Sequence, residues 1–376
     1  MIKVRLRDFV ETEVGFFAVN AYEHPEDRVF AFLRYLNLAS VGEDVIDRYN
    51  LNKDDIREKN GKKYIKITDT AKTYGILENY FPEYLYYDET KDITLHAVPN
   101  EYIINVLRPN DRLKEILNEN KNNDNKNSNK NNNSKFEEKC KYLADKLHDY
   151  GLSYNHMGVS GSTVVKLNNE SSDIDFVIYG MKNHKKARNI LKTIFEEEKN
   201  KDKDEKLNIH PLSDEFWKKA YHKRIKDGTL SYDEFVWHEK RKYNRGVINN
   251  TMFDLLATRD WEEITSKYGE FYYKNLGFIN IECDIINDDY IFDNPAIYKI
   301  DNVKILSNIA ENKLEVNPND IKEIASFTHT YAGQAFNGEK VVVRGKLEGV
   351  SSPYGDYKRV VVGTSREAFN EYIKLK

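Results

Sequence analysis

Two aspartates spaced to share one face of a strand, Asp173 and Asp175, follow a small-residue turn, Gly158-Val159-Ser160-Gly161-Ser162, after the ten residues Thr163 to Ser172. Strand side chains alternate, so the two carboxylates point the same way about 6.6 Å apart, and Ile174, Phe176 and Ile178 line the opposite face. Ionised together at that distance they repel by roughly 2.5 kcal/mol at an effective dielectric of about 20, unless a cation sits between them. Magnesium suits the role, because it joins one or two carboxylates to substrate phosphates and keeps part of its water. The turn supplies the other half. Backbone without a side chain at Gly161 can approach a phosphate and offer N–H groups, and Ser162 adds a hydroxyl. These parts together would hold a nucleoside triphosphate and its metal.

At these residues the chain resembles the DNA polymerase β-type nucleotidyltransferase superfamily, whose hallmark is an apolar residue, Gly, then Gly or Ser, a gap of about ten residues, and Asp-x-Asp among apolar residues. Here that reads Ser160-Gly161-Ser162, then Asp173-Ile174-Asp175-Phe176; Ser160 departs from the apolar position. The wider run from Met157 to Gly180 is similar to archaeal predicted nucleotidyltransferases that carry extra domains on both sides of the catalytic one. The resemblance implies a third carboxylate on a neighbouring strand. Asp254, inside the apolar run Thr251-Met252-Phe253-Asp254-Leu255-Leu256-Ala257, is the choice, since an unpaired charge there would be costly. Glu282 and Asp284 in Ile281-Glu282-Cys283-Asp284-Ile285 are the competitors, further along the chain. Asp173, Asp175 and Asp254 are therefore the expected catalytic and metal-binding residues, for Mg2+ or Mn2+.

The implied chemistry is in-line attack of an acceptor hydroxyl on the α-phosphorus of a nucleoside triphosphate, with pyrophosphate leaving. Besides Gly161 and Ser162, the expected nucleotide contacts are Lys185 and Arg188, with Lys186 beside them, and Lys242 and Arg245 within Lys240-Arg241-Lys242-Tyr243-Asn244-Arg245-Gly246. A charge run of this kind is also what a solvated helix face looks like. Three functions follow: nucleotidyl transfer to RNA or another nucleic-acid end, the same chemistry on a small molecule or protein side chain, or a nucleotide- or RNA-binding protein that keeps the fold without the reaction.

A chain of 376 residues is too long for one typical core, which makes two or three domains the expectation. A net charge of −4 argues against a protein whose main task is coating nucleic acid, while leaving room for a local basic surface. The two cysteines, Cys140 and Cys283, stand alone, so neither a disulfide framework nor a zinc site is expected. With no apolar leader at the N-terminus and no stretch apolar enough to span a bilayer, a cytoplasmic location is expected, with no membrane partner. Oligomeric state is not legible.

The expected fold class is α+β and multi-domain. An N-terminal α+β domain (1–117) holds strands at 14–22 and 29–36 joined by a turn-rich hexapeptide, a helix at 69–80, extended runs at 84–88 and 93–98, and a helix opened by Pro99 through Leu107. His24 and His96 there read as structural; Arg34 and Tyr35 are possible acceptor contacts. An Asn/Lys-rich flexible linker (118–135) follows. The central nucleotidyltransferase domain (136–276) is expected as a mixed β-sheet with helices. Phe136, Cys140, Leu143 and Leu147 fall at helical spacing before Gly151, and helices follow at 184–198, 213–226 and 232–242, with a charged loop at 199–206. The C-terminal region (277–376) reads as five short strands, a small OB-like β-barrel, closed by a helix from Arg366 capped by Ser365. Phe327, His329, Tyr331, Arg344, Lys346, Tyr354, Lys358 and Arg359 are its eligible nucleic-acid contacts.

Overall fold

The computed structural model describes residues 2–122, 132–169, 171–198, 207–310, 315–363 and 368–376. Its architecture is mixed α+β with three sheets. The first contains Phe9–Thr12 (β1), Gly15–Val19 (β2), Arg28–Asn37 (β3), Ile56–Lys59 (β4), Lys62–Lys66 (β5), Leu85–Asp88 (β6), Ile93–Pro99 (β7) and Asn105–Leu107 (β8). Its main path runs β4-β5-β3-β2-β1-β8, and β7 pairs with both β3 and β6. Apolar residues of β2 and β3, among them Phe17, Leu33 and Leu36, bury against Ile76 and Leu77, a register shift between Phe16 and Phe17 interrupting the alternation. The last two come from the helix Thr70–Tyr80 (α2), which Asp69 caps by accepting from Lys72 N at 3.1 Å; a short helix Asp44–Arg48 (α1) precedes it.

The helix expected from Pro99 to Leu107 is not formed. A short 3-10 turn at Asn100–Tyr102 leads instead into β8, which takes the open hydrogen bonds of β1 with Phe9 opposite Leu107. Pro109 starts the next helix, Pro109–Asn122 (α3), where its missing N–H costs nothing. Leu113 and Ile116 of that helix bury with Phe136, Cys140, Leu143 and Leu147 of Asn132–Asp149 (α4), so α3 belongs to the middle core, not to the first sheet. Helical backbone thus enters both ends of the expected linker, whose centre, 123–131, lies outside the described residues, as do the expected loop at 199–206 and the expected cap at 364–367.

The middle sheet has the order β11-β12-β13-β10-β9, from Met157–Val159 (β9), Ile174–Tyr179 (β10), Ile209–His210 (β11), Arg245–Ile248 (β12) and Thr251–Thr258 (β13). β10 and β13 are parallel neighbours. Ile174, Phe176 and Ile178 are fully buried against α4 and against Met181–Glu198 (α6), through Ala187, Leu191 and Ile194. The other face, bearing Asp175 and Tyr179, meets the first unit: the Arg5 guanidinium lies 3.8 Å from the Tyr179 ring centre. Tyr35 and Phe16 pack against Val164 and Val165, which follow the glycine turn.

The third sheet is built from Tyr272–Tyr290 (β14), Ala296–Ala310 (β15), Ile321–Ser326 (β16), Lys340–Ser351 (β17), Tyr357–Val362 (β18) and Tyr372–Leu375 (β19). Pairing runs β14-β15-β16-β18-β17, and β17 returns to β14, so five strands form a circuit with one parallel pair, β16 with β18. β19 replaces the expected terminal helix. Ile373 enters the core and the backbone of 372–375 pairs with β17, which a helix would leave unbonded. The helices Asp214–Arg224 (α7) and Tyr232–Lys240 (α8) bury Trp217 and Phe235 in this same core. One buried joint ties the three units: Tyr22 Oη donates to Asp293 Oδ1 at 2.6 Å, Arg259 Nε is 2.7 Å from Asp293 Oδ2, and Arg259 N donates to Tyr22 Oη at 3.0 Å. Among the described residues, no helix is long and apolar enough to cross a membrane.

Candidate active site

β9 ends at the glycine turn and β10 carries the acids, so their pairing sets one against the other. Ser160 N donates to Asp175 O at 2.8 Å, and a four-residue helix, Gly161–Val164 (α5), begins at once. Gly161 has φ +61°, and a Cβ on it would sit 1.9 Å from Asp175 Oδ2. Only glycine lets the turn and the carboxylate come this close. Ser160, the departure from the apolar pattern, has a partner: its hydroxyl donates to the carbonyl of Arg7 at 2.7 Å, tying the turn to the N-terminal unit.

Across the sheet, Asp254 of β13 stands in register beside Asp175 of β10, on the same face. Asp173 precedes β10 by one residue. Burial raises the pKa of Asp173, and Asp254 and then Asp175 raise it further, although the residue itself reaches solvent. Asp175 is also raised, chiefly by burial; Arg7 opposes this and Asp254 adds to it. Three carboxylates therefore share one field. Asp254 is the compensated member, with Arg245 Nε 3.1 Å from its Oδ1 but not aligned as a hydrogen bond. No ion pair to Asp173 or Asp175 is found among the described residues.

The cations that face Asp175 come from the N-terminal unit. Arg7 has a left-handed backbone, φ +77°, which for a non-glycine residue is held only by its surroundings. Its Nε is buried without a hydrogen-bond partner, and its Nη2 lies 3.3 Å from His329 Nε2 of the third unit. Burial lowers the Arg7 pKa, with Asp175, Tyr22, Asp293 and Asp254 pulling the other way. Arg34 and Lys66 also act on Asp175 through space, and the buried Tyr35 packs against Val164 and Val165 just after the turn. Arg34 and Tyr35, singled out in the sequence, thus lie beside the acids. Arg7 and Lys66 carried no sequence signal, apart from the unexplained hydroxyl at Ser160.

The other sequence candidates are placed differently. Lys242 is only 1% exposed, and its ammonium is spent on Glu239 Oε1 at 2.5 Å and Thr330 O at 2.8 Å. Arg245 bridges Asp254 to that same Glu239, 3.2 Å away. Burial pushes Glu239 up, yet Lys242, Arg245 and Arg224 outweigh it and hold it well below the usual carboxylate range. Lys185 and Arg188 lie on α6, which covers the opposite face of the sheet. They line a separate hollow, and Lys186 reaches the carbonyl of Gly151. Glu282 and Asp284 lie in the third sheet: Lys376 Nζ is 2.6 Å from Glu282, and Lys340 Nζ is 3.4 Å from Asp284. Of the proposed nucleic-acid contacts, Tyr331 is buried, and Lys346, Lys358 and Arg359 are each paired with a carboxylate, whereas Phe327 and Tyr354 are exposed. His24 and His96 are buried, each accepting a backbone N–H from β3.

Among the described residues no three His, Cys, Asp or Glu side chains are already gathered as a cation cage. Magnesium needs fewer. One or two carboxylates with phosphate oxygens and water complete its shell, and Asp173 and Asp175, raised chiefly by burial and without an ion pair among the described residues, are donors that a cation would relieve.

The molecule is thus a three-sheet α+β protein with three carboxylates gathered on the face of its middle sheet that meets the first unit. The chain is 55% identical, over an alignment of 377 positions covering 100% of both chains, to the uncharacterized protein MJ1086 of Methanocaldococcus jannaschii, and it belongs to that protein's family. No protein-family model matches the chain. No solved structure matches it.

Proposed function

We propose that the protein is a divalent-metal-dependent nucleotidyltransferase of the DNA polymerase β type. The observation that carries this reading is the in-register pair Asp175 and Asp254 beside Asp173, with Asp175 seated over the bare backbone of Gly161. Asp173 and Asp175 would hold Mg2+ or Mn2+, which supplies charge neutralisation at the phosphates when bound. The turn at Gly161 and Ser162 holds the polyphosphate, and Arg7, Arg34 and Lys66 give it positive surroundings. The acceptor oxygen bonds to the α-phosphorus, the bond to pyrophosphate breaks, and Asp254 takes the acceptor's proton.

The acceptor we favour is RNA or another nucleic-acid end, in the cytoplasm. The five-strand circuit of the third unit, read as an OB-like barrel, with Phe327 and Tyr354 exposed, supports this. Its internally paired cations, Lys346, Lys358 and Arg359, favour a second reading, transfer to a small molecule or protein hydroxyl. Purified protein incubated with each α-labelled nucleoside triphosphate, Mg2+, and either total RNA or nucleic-acid-free extract separates them. Label on RNA supports the first acceptor, label on other material supports the second, and no label in either rejects the transferase reading.

A further inference from the structure

On the α6 side of the middle sheet, away from the acids, a hollow of about 400 Å³ opens between α6, the end of α8 and the third unit. Its size is that of a small-ligand pocket. Five Lys and Arg side chains line it against three carboxylates, Glu263, Asp288 and Asp289. Two of those carboxylates are already engaged with backbone: Glu263 accepts from Met181 N and Asp260 N, and Asp288 accepts from Asn337 N at 3.3 Å. The walls are aromatic as well as basic. The Arg188 guanidinium stacks 3.8 Å from the Phe292 ring centre, and that of Arg241 lies 4.7 Å from both Trp237 and Phe336.

Two donors here are unsatisfied. Arg188 Nε and Arg241 Nη1 are buried without a hydrogen-bond partner, although Arg188 Nη1 donates to Lys242 O at 3.1 Å and Arg241 Nη2 to Glu339. The two residues that carry these unpaired nitrogens line the pocket, and unpaired buried donors call for a partner. Water can accept their hydrogen bonds but brings no opposite charge. Burial pulls the Arg188 pKa down to about 10 and Asp288 only partly offsets it, so the cation is under-compensated where it stands.

From the placement of Lys185, Arg188 and Arg241 around an aromatic-walled hollow, we infer that the protein has a second site, separate from the three aspartates, that binds a nucleoside phosphate without a metal. The phosphate is held by these cations, and the base meets the stacked guanidinium and aromatic walls, surfaces that suit any base. Calorimetric titration of the full chain with AMP in EDTA tests it. We expect one site that survives the Asp173→Asn/Asp175→Asn double variant, weakens about tenfold in Arg188→Gln and weakens by a smaller factor in the exposed-residue variant Lys185→Gln. Adenosine should bind far more weakly than AMP, and inorganic phosphate should compete. No binding in EDTA, loss of binding with the two aspartates, equal affinity for adenosine, or AMP binding unchanged in both Arg188→Gln and Lys185→Gln would each overturn the inference. Because the titration reads binding without metal, its result is independent of whether nucleotidyl transfer is found.

Discussion

Asp173-Ile174-Asp175 and Glu282-Cys283-Asp284 are the same pattern in the sequence, two acids flanking a buried residue of a strand, and the fold treats them in opposite ways. Glu282 is held low first by the Lys376 ammonium and then by Lys340; Asp284 is held low by Asn302 and Lys340. Asp173 and Asp175 are pushed up, by burial and by their carboxylate neighbours. One pair is neutralised by the protein itself. The other has no ion pair among the described residues, Arg7, Arg34 and Lys66 acting on Asp175 only through space, and it sits beside a turn that only glycine can make. Spacing therefore nominates both pairs of acids alike, and the ion pairs made by one and not by the other tell them apart.

The largest contrast should appear in transfer assays. Asp175→Asn and Asp254→Asn should each lower turnover by on the order of 10²–10³-fold or more, while Glu282→Gln and Asp284→Asn leave it unchanged; activity lost in the second pair instead would invert the comparison. Next is Arg7, whose Nε is buried without a hydrogen-bond partner and whose charge acts on Asp175. Arg7→Gln should raise the KM for the nucleoside triphosphate about tenfold, roughly 1.4 kcal/mol, with partial recovery in Arg7→Lys; an unchanged KM would return Arg7 to a purely structural role. Gly161→Ala should destabilise the fold by about 1–2 kcal/mol through its left-handed backbone and reduce transfer as the new Cβ displaces Asp175. A variant as active and as stable as the wild type would contradict the close approach.

The smallest effect is on stability against pH, and its sign differs between the pairs. A carboxyl whose pKa is raised on folding binds its proton more tightly in the native state, so its contribution falls as pH rises from about 4 through the raised value. Metal-free protein should therefore lose stability on that account toward neutral pH, recover some of it on adding Mg2+, and gain about 2 °C in Tm in Asp173→Asn/Asp175→Asn. The lowered pair works oppositely, its contribution being lost as pH falls. Glu282→Gln/Asp284→Asn should therefore not stabilise the protein. Thermal melts between pH 4 and 8, with and without Mg2+, read both signs.

What was legible in the sequence was local. Alternation placed Ile174, Phe176 and Ile178 in the core, and all three are fully buried. Asp254 stood out because a lone charge in an apolar run needs a partner, and Arg245 is that partner. The spacing of Phe136, Cys140, Leu143 and Leu147 marked α4. One proline misleads: Pro99 can open a helix, yet the turn after it leads into β8 and Pro109 performs that role, and sheet pairing overrides local propensity at β8 and β19. Arg7, Arg34 and Lys66 reach Asp175 from more than a hundred residues away, a closeness made by packing one unit on another, which no periodicity encodes. Lys185 and Arg188 are near the acids in sequence but not in space, because β10 carries the chain across the sheet and α6 returns along its other face.

The most direct test is Mn2+ binding followed by electron paramagnetic resonance, with and without a nucleoside triphosphate, in wild type, Asp173→Asn/Asp175→Asn and Glu282→Gln/Asp284→Asn. We predict nucleotide-enhanced Mn2+ binding in the wild type, retained in the third-sheet variant and abolished in the β10 variant. Equal Mn2+ binding in all three proteins, or loss only in the third-sheet variant, would contradict the assignment of Asp173 and Asp175 as the ion site.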